Sequence, residues 1–143
     1  MLYNLATNTL AKTFVDNFAL LKWVSFSPHL NELYLTSNDK TLKAYKINPT
    51  TGKYDVSYSY PTDLYGFPNC INVNIKDQLV FSANKDIVFL NTAKTYPELI
   101  FSRKDVADVF VMDLSLDGKY LVSGMRNGEI TLWEIDSKTS KKD

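Results

Sequence analysis

The chain holds one cysteine, Cys70, and one histidine, His29, among 143 residues. A lone cysteine excludes an intrachain disulfide, and nothing else points to an oxidising compartment. There is no zinc-ligand spacing and no glycine-rich loop able to cradle phosphate. Sixteen basic and sixteen acidic side chains cancel, so no global field draws the chain to nucleic acid or to an anionic membrane. No apolar run approaches the roughly 18 residues needed to cross a bilayer. The start, Met1-Leu2-Tyr3-Asn4, lacks the basic flank and long apolar stretch of a secretory signal. These absences lead to the expectation of an intracellular protein, cytoplasmic or nuclear, with no membrane insertion.

Glycine is also scarce, with 5 residues, whereas aromatics reach 13% and hydrophobic residues 45%. A chain of this length and apolarity can bury a core, and its aromatic bias favours strands; only the polar end, 137–143, reads as disordered. Four short segments then recur. Leu2-Tyr3-Asn4-Leu5, Ala44-Tyr45-Lys46-Ile47, Phe89-Leu90-Asn91-Thr92 and Leu132-Trp133-Glu134-Ile135 each set a large apolar residue after another apolar one. Tyr3, Tyr45, Leu90 and Trp133 lie 42, 45 and 43 residues apart. That period suits a four-stranded propeller blade and excludes the shorter periods of helical solenoids.

Strand patterns fill each period. In the last one, 109–114 is apolar on both faces, as in a strand buried between layers. Asp117-Gly118 turns the chain, 120–124 returns, Asn127-Gly128 turns it again, and 130–135 alternates: an antiparallel meander. The same order predicts strands at 20–27, 33–37, 42–47 and 54–60, then at 70–75, 79–83, 87–90 and 98–102. Residues 2–5 and 10–14 read as the third and fourth strands of a preceding unit. No stretch carries a 3.6-residue apolar stripe long enough for a helix, so the expected class is all-β with two, four, four and three strands.

Leu114-Ser115-Leu116-Asp117-Gly118-Lys119-Tyr120-Leu121-Val122-Ser123-Gly124 resembles a phrase of the WD-repeat β-propeller family, aromatic-Ser-Pro-Asp-Gly followed by Leu-Ala-Ser-Gly. Arg126-Asn127-Gly128-Glu129-Ile130-Thr131-Leu132-Trp133-Glu134 is similar to its Asp-Gly-Thr-Ile-Lys-Leu-Trp-Asp ending, and Phe26-Ser27-Pro28 repeats the first phrase. The resemblance implies an end of a preceding blade at 1–14, blades at 15–60 and 61–102, and a last blade with a polar tail at 103–143. The family often buries an Asp-His-Ser-Trp set in each blade, its histidine in a Gly-His pair before the first strand. This chain has no Gly-His pair, and Trp133, Ser123 and Asn127 are the parts of that set it offers.

Propellers have roughly 4 to 8 blades, and this chain reads as an incomplete ring of about three. Bare sheet edges and apolar faces are avoided by native proteins. The missing blades therefore belong first to a longer propeller chain and next to another protein; a self-contained three-blade ring fits least.

Trp133, Tyr45 and Tyr3, fixed in the repeat, read as packing between blades. Tyr54, Tyr58 and Tyr60 read as one face of an outer strand against the neighbouring blade. Tyr65-Gly66-Phe67-Pro68-Asn69 lies in the longest break between strands, where the resemblance implies the narrow upper face. Its rings are either a protein-binding hot spot or folded back over the blade edge. By the same placement that face includes Asn38, Asp39, Lys40, Tyr65, Phe67, Asn69, Arg126 and Asn127. Asp105, Asp108 and Asp113 lack the signature of a cation loop and read as solvated turn residues. Lys138, Lys141 and Lys142 read as a frayed tail. His29 sits in a turn beside Pro28, and Cys70 in an apolar strand where a thiol is inert.

The expected function is a non-catalytic scaffold for protein–protein interaction within a larger assembly, with no catalytic residues, metal or cofactor. The alternative is a nucleoprotein-associated propeller touching RNA or DNA through local basic patches. Lys and Asp mixed within the same loops favour the former.

Overall fold

The computed structural model describes residues 1–15, 19–28, 31–74, 78–92 and 98–135. His29 and the lysines of 138–142 lie outside the described residues. The described chain is all-β, with no helix among its elements, and so none long and apolar enough to cross a membrane. Its strands are β1 (Leu2–Asn4), β2 (Thr9–Lys12), β3 (Leu21–Phe26), β4 (Glu32–Ser37), β5 (Thr41–Ile47), β6 (Tyr54–Pro61), β7 (Pro68–Val73), β8 (Gln78–Ala83), β9 (Asp86–Asn91), β10 (Glu98–Lys104), β11 (Val109–Leu114), β12 (Tyr120–Met125) and β13 (Ile130–Glu134).

They form four antiparallel sheets in chain order: β1–β2, β3–β6, β7–β10 and β11–β13. The expected sequence of two, four, four and three strands is the observed one. Each hairpin is set by local turn chemistry. Asp117 accepts the Ser115 hydroxyl and the Lys119 amide, while Gly118 takes the left-handed φ of 70° that the turn requires. Between β8 and β9 the turn is two residues, with Asn84 at φ 53° and Ala83 paired to Asp86.

The sheets stack face to face. Tyr34, Leu42, Ala44 and Tyr58 of the β3–β6 sheet meet Ile71, Val73, Leu79, Phe81, Ala83, Val88 and Leu90 of the next. On the far side of that second sheet, Cys70, Val80, Ile87 and Phe89 meet Val109, Met112, Leu114, Leu121 and Met125. Leu33, Leu35 and Tyr45, on the other face of the β3–β6 sheet, pack with Phe14 and Tyr54. Successive side chains of a strand point to opposite faces. The wholly apolar runs of β8 and β9 thus serve two joints at once.

The repeat is exact in register. Leu33 pairs with Tyr45, Leu79 with Leu90 and Leu121 with Trp133. The first strand of each larger sheet also carries one extra residue near its start. The register shifts between Leu21 and Trp23, between Pro68 and Ile71, and between Val109 and Val111. A bulge at one fixed place bends each first strand and sharpens its twist.

Several expectations are corrected. Pro68 and Asn69 are not loop residues but open β7, with Pro68 opposite Ala83. Proline is tolerated there because a strand's first residue can do without its N–H. Tyr54, Tyr58 and Tyr60 do not share one face. Ala44 pairs with Tyr58 but Tyr45 with Val56, so Ser57 is bulged out and Tyr54 turns to the opposite joint, against Phe14. Tyr45 is buried as expected and Trp133 is half-buried against the last joint, but Tyr3 is exposed. Among the described residues, β1 and β2 pair only with each other.

Candidate protein-binding rim

One edge of the molecule is a continuous band of loops tied by hydrogen bonds to main-chain carbonyls. The Asn38 amide donates to the Leu20 carbonyl at 2.9 Å, and the Thr62 amide to the Lys40 carbonyl at 2.8 Å. Asn84 Nδ2 reaches the Tyr65 carbonyl at 3.1 Å. The Asp105 amide donates to Lys85, the Val109 amide to Asn84, and the Arg126 amide to Asp108, at 2.8, 2.8 and 2.9 Å. The turns between second and third strands, and the loops that follow the fourth strands, are thereby held in one row.

Asp39 and Lys40 close the β4–β5 turn, with Lys40 in the left-handed region at φ 60°. The Asp39 carboxylate accepts the Thr41 amide at 3.1 Å and pairs with Lys43 at 3.4 Å. Burial raises the Asp39 carboxyl, but its hydrogen bond from Thr41 and the Lys43 charge outweigh burial and hold it below the ordinary carboxylate range. Lys40 Nζ lies 5.4 Å from the centre of the Phe67 ring and 3.6 Å from Asp63. Lys40 and Phe67 are therefore brought together, with the ring 48% exposed beneath the cation.

The two rings of the loop part company. Tyr65 folds back, edge-on to Phe81 with ring centres 5.9 Å apart, and belongs to the core joint. Phe67 faces outward. Gly66 between them makes this possible, at φ 105° and with its amide bonded to the Thr62 carbonyl. A side chain there would strain the backbone, and its Cβ would lie 2.1 Å from Asn84 Nδ2. Gly66→Ala is expected to cost about 1–3 kcal/mol by thermal or urea unfolding. In an Asn84→Ala background the clash disappears and only the backbone part of the loss should remain.

Asn69 has a structural partner: its Nδ2 donates to the Val109 carbonyl across the joint between β7 and β11, at 2.9 Å. Asn127 is exposed but bound within its own turn, its Nδ2 to Glu129 Oε2 at 2.6 Å and its Oδ1 from the Glu129 amide at 3.2 Å. Arg126 presents an exposed side chain beside it. Two exposed apolar residues on the band, Leu64 and Val106, were not singled out from the sequence. Their signal was an aliphatic residue inside a loop.

Asp105 is the main departure from the sequence reading. It is not solvated but 8% exposed. Trp133 Nε1 donates to Ser123 Oγ at 2.9 Å, and the Ser123 hydroxyl donates to Asp105 Oδ2 at 2.8 Å. The other carboxylate oxygen accepts the Val106 amide at 2.9 Å. Asn127 takes no part in this relay. Asp105 went unrecognised because it lies 18 residues from Ser123 and no local spacing joins them. Asp113 instead accepts Asn72 Nδ2 between β7 and β11, at 2.8 Å. Among the described residues no three His, Cys, Asp or Glu side chains converge as a metal site would require.

Cys70 is buried, and its Sγ lies 3.0 Å from Ser82 Oγ. Burial pushes its thiol up to about 11, despite the opposing hydrogen bond. Native protein is therefore expected to resist iodoacetamide at mildly alkaline pH and to react fully once unfolded. Rapid labelling of the folded chain would show that β7 opens. The chain matches no protein-family model, and no match to a curated protein reaches significance.

Proposed function

We propose that the chain is a non-catalytic scaffold made of consecutive WD-repeat-type blades, and that its loop band docks other proteins. The observation that carries this reading is the band itself. Successive sheets supply it by turns at the same place in each, and its hydrogen bonds join the segments that carry Lys40, Leu64, Phe67, Val106 and Arg126 along one edge. A preorganised patch with an aromatic and an arginine suits a protein partner.

Three features support the blade assignment. Tyr45, Leu90 and Trp133 occupy one register position. The first strands share one bulge. Trp133, Ser123 and a buried acid form a hydrogen-bonded chain, with Asp105 in the segment before the first strand, where the resemblance would set a histidine. The open sheet faces are those that further blades would cover.

Phe67→Ala and Arg126→Ala are each expected to weaken capture of the native partner by about thirtyfold, or 2 kcal/mol, with little change in melting temperature. Tyr65→Ala should lower the melting temperature first. Unaltered capture by both Phe67→Ala and Arg126→Ala would move the contact off this edge. Retention that collapses steeply with added salt would instead indicate phosphate contacts and favour the nucleic-acid reading.

A further inference from the structure

Asparagine is followed by glycine once in this sequence, at Asn127-Gly128 in the turn between β12 and β13. Glycine has no Cβ to shield its amide nitrogen, so that nitrogen can approach the preceding side chain closely. Other asparagines of the loop band lack such a neighbour: Asn38 precedes Asp39, Asn69 precedes Cys70 and Asn84 precedes Lys85. Residues 126–129 are all exposed, and a Cβ placed on Gly128 would meet nothing within 4 Å. No side chain packs on this glycine.

The turn also holds the Asn127 amide in a reactive setting. Its Oδ1 accepts the Glu129 main-chain amide at 3.2 Å, and its Nδ2 donates to Glu129 Oε2 at 2.6 Å. A donor aimed at a carbonyl oxygen stabilises the charge that gathers there when a nucleophile adds. That nucleophile, the Gly128 nitrogen, donates to the Met125 carbonyl at 3.0 Å and is released when this bond opens. The other acidic or amide residue before a glycine, Asp117 before Gly118, is set against the same reaction. Hydrogen bonds from the Lys119 amide and the Ser115 hydroxyl hold the Asp117 carboxyl below the ordinary carboxylate range. An ionised carboxylate repels a nucleophile, and Gly118 is packed against Asn74 and Gln78.

We propose that Asn127-Gly128 is a site of spontaneous deamidation in the folded chain. The Gly128 nitrogen gives up its proton to solvent and bonds to Asn127 Cγ. The Cγ–Nδ2 bond then breaks, and ammonia leaves with a proton returned by solvent. The cyclic imide so formed takes up one water. Cleavage of the new N–Cγ bond gives aspartate, and cleavage of the original main-chain bond gives isoaspartate. One water enters, one ammonia leaves, and no electrons change hands. The chemistry is the same whether or not this edge binds a partner.

The product alters the turn. Where Nδ2 donated to Glu129 Oε2 there is then a carboxylate, and two like charges at that spacing repel each other. The clasp between Asn127 and Glu129 opens beside Arg126, and isoaspartate also lengthens the main chain by one carbon. A chain with sixteen basic and sixteen acidic side chains gains one negative charge, so modified molecules separate from unmodified ones by ion exchange.

The test is incubation of the folded protein at mildly alkaline pH, followed by ion exchange, peptide mass analysis and enzymatic methylation of isoaspartate. The peptide holding Arg126 to Glu129 should acquire the mass gain of an NH2-to-OH exchange and become a methyl acceptor, while the peptides of the other asparagines stay unchanged over the same period. Asn127→Gln keeps an amide but would have to close a larger ring, and it should abolish the gain. Asn127→Asp carries one product directly. Its Gly128 and Glu129 amides should exchange with solvent faster than in unmodified wild type, and Glu129→Gln added to it should restore them. A native protein that stays unmodified until urea unfolds it, or a gain that persists in Asn127→Gln, would overturn the proposal. Unchanged exchange in Asn127→Asp would overturn the opening of the turn.

Discussion

Replacing Phe81 by alanine is expected to reduce the unfolding free energy by about 3–5 kcal/mol. Phe81 is fully buried in the joint between the two four-stranded sheets. Tyr60 and Tyr65 stand edge-on to it, with ring centres 6.4 and 5.9 Å away. Removing the ring opens a void whose walls belong to two different layers, neither of which can close on it without shifting the other. Urea titration is the measurement, with the loss appearing in the midpoint rather than in the slope. Phe81→Leu should recover much of the difference, since it restores most of the apolar volume. A loss below about 1 kcal/mol would mean that the layers do not close over this ring. The same variant should weaken partner capture, because Tyr65 loses its support and the loop carrying Phe67 loses its anchor. Phe67→Ala should do the reverse, sparing stability and weakening the contact proposed for this edge.

The second large effect is expected at Asp105. Asp105→Ala strands the Ser123 hydroxyl, which sits fully buried between the carboxylate and the Trp133 ring nitrogen. Leaving a buried donor without an acceptor costs about 1–3 kcal/mol. Asp105→Asn keeps an acceptor oxygen and should recover part of this. The relay is tested by combining Asp105→Ala with Trp133→Phe, which keeps an aromatic ring and deletes its N–H. Because both act through one hydroxyl, the double variant should depart from additivity by about 0.5–3 kcal/mol. Strict additivity would show that the three residues share a place without sharing an interaction. Since Trp133 is only half-buried, its truncation should cost less than that of Phe81.

Strand positions were legible in the sequence because they rest on local signals. Alternation, Asp-Gly and Asn-Gly turns and the recurrence of Tyr45, Leu90 and Trp133 place most strands within a residue or two of their observed bounds. What depends on register was not legible. The bulge at Ser57 has no composition signal, yet it moves Tyr54 to the opposite joint from Tyr58 and Tyr60. The rim was half readable. The loops were located, but whether a ring points out or in is decided by Gly66 and by the space beside Phe81. Asn69 and Asp105 are polar residues near loops, and only the approach of a second sheet turns them into structural groups.

The strands buried on both sides, β4 and β8 above all, carry a consequence for folding. In an ordinary amphipathic strand, slipping by one residue throws its apolar side chains into water, and that penalty guards the alignment. Leu79-Val80-Phe81 has no such guard: after a slip, either face is still greasy and still covered. Correct alignment must instead come from features that fix position by geometry: the two-residue turn at Asn84-Lys85 and the kink at the head of each first strand. Lengthening that turn by one residue should therefore be more damaging than changing a side chain on β8 to another aliphatic one. It would generate misaligned, compact chains that must unzip before they can try again, and refolding would slow before stability fell.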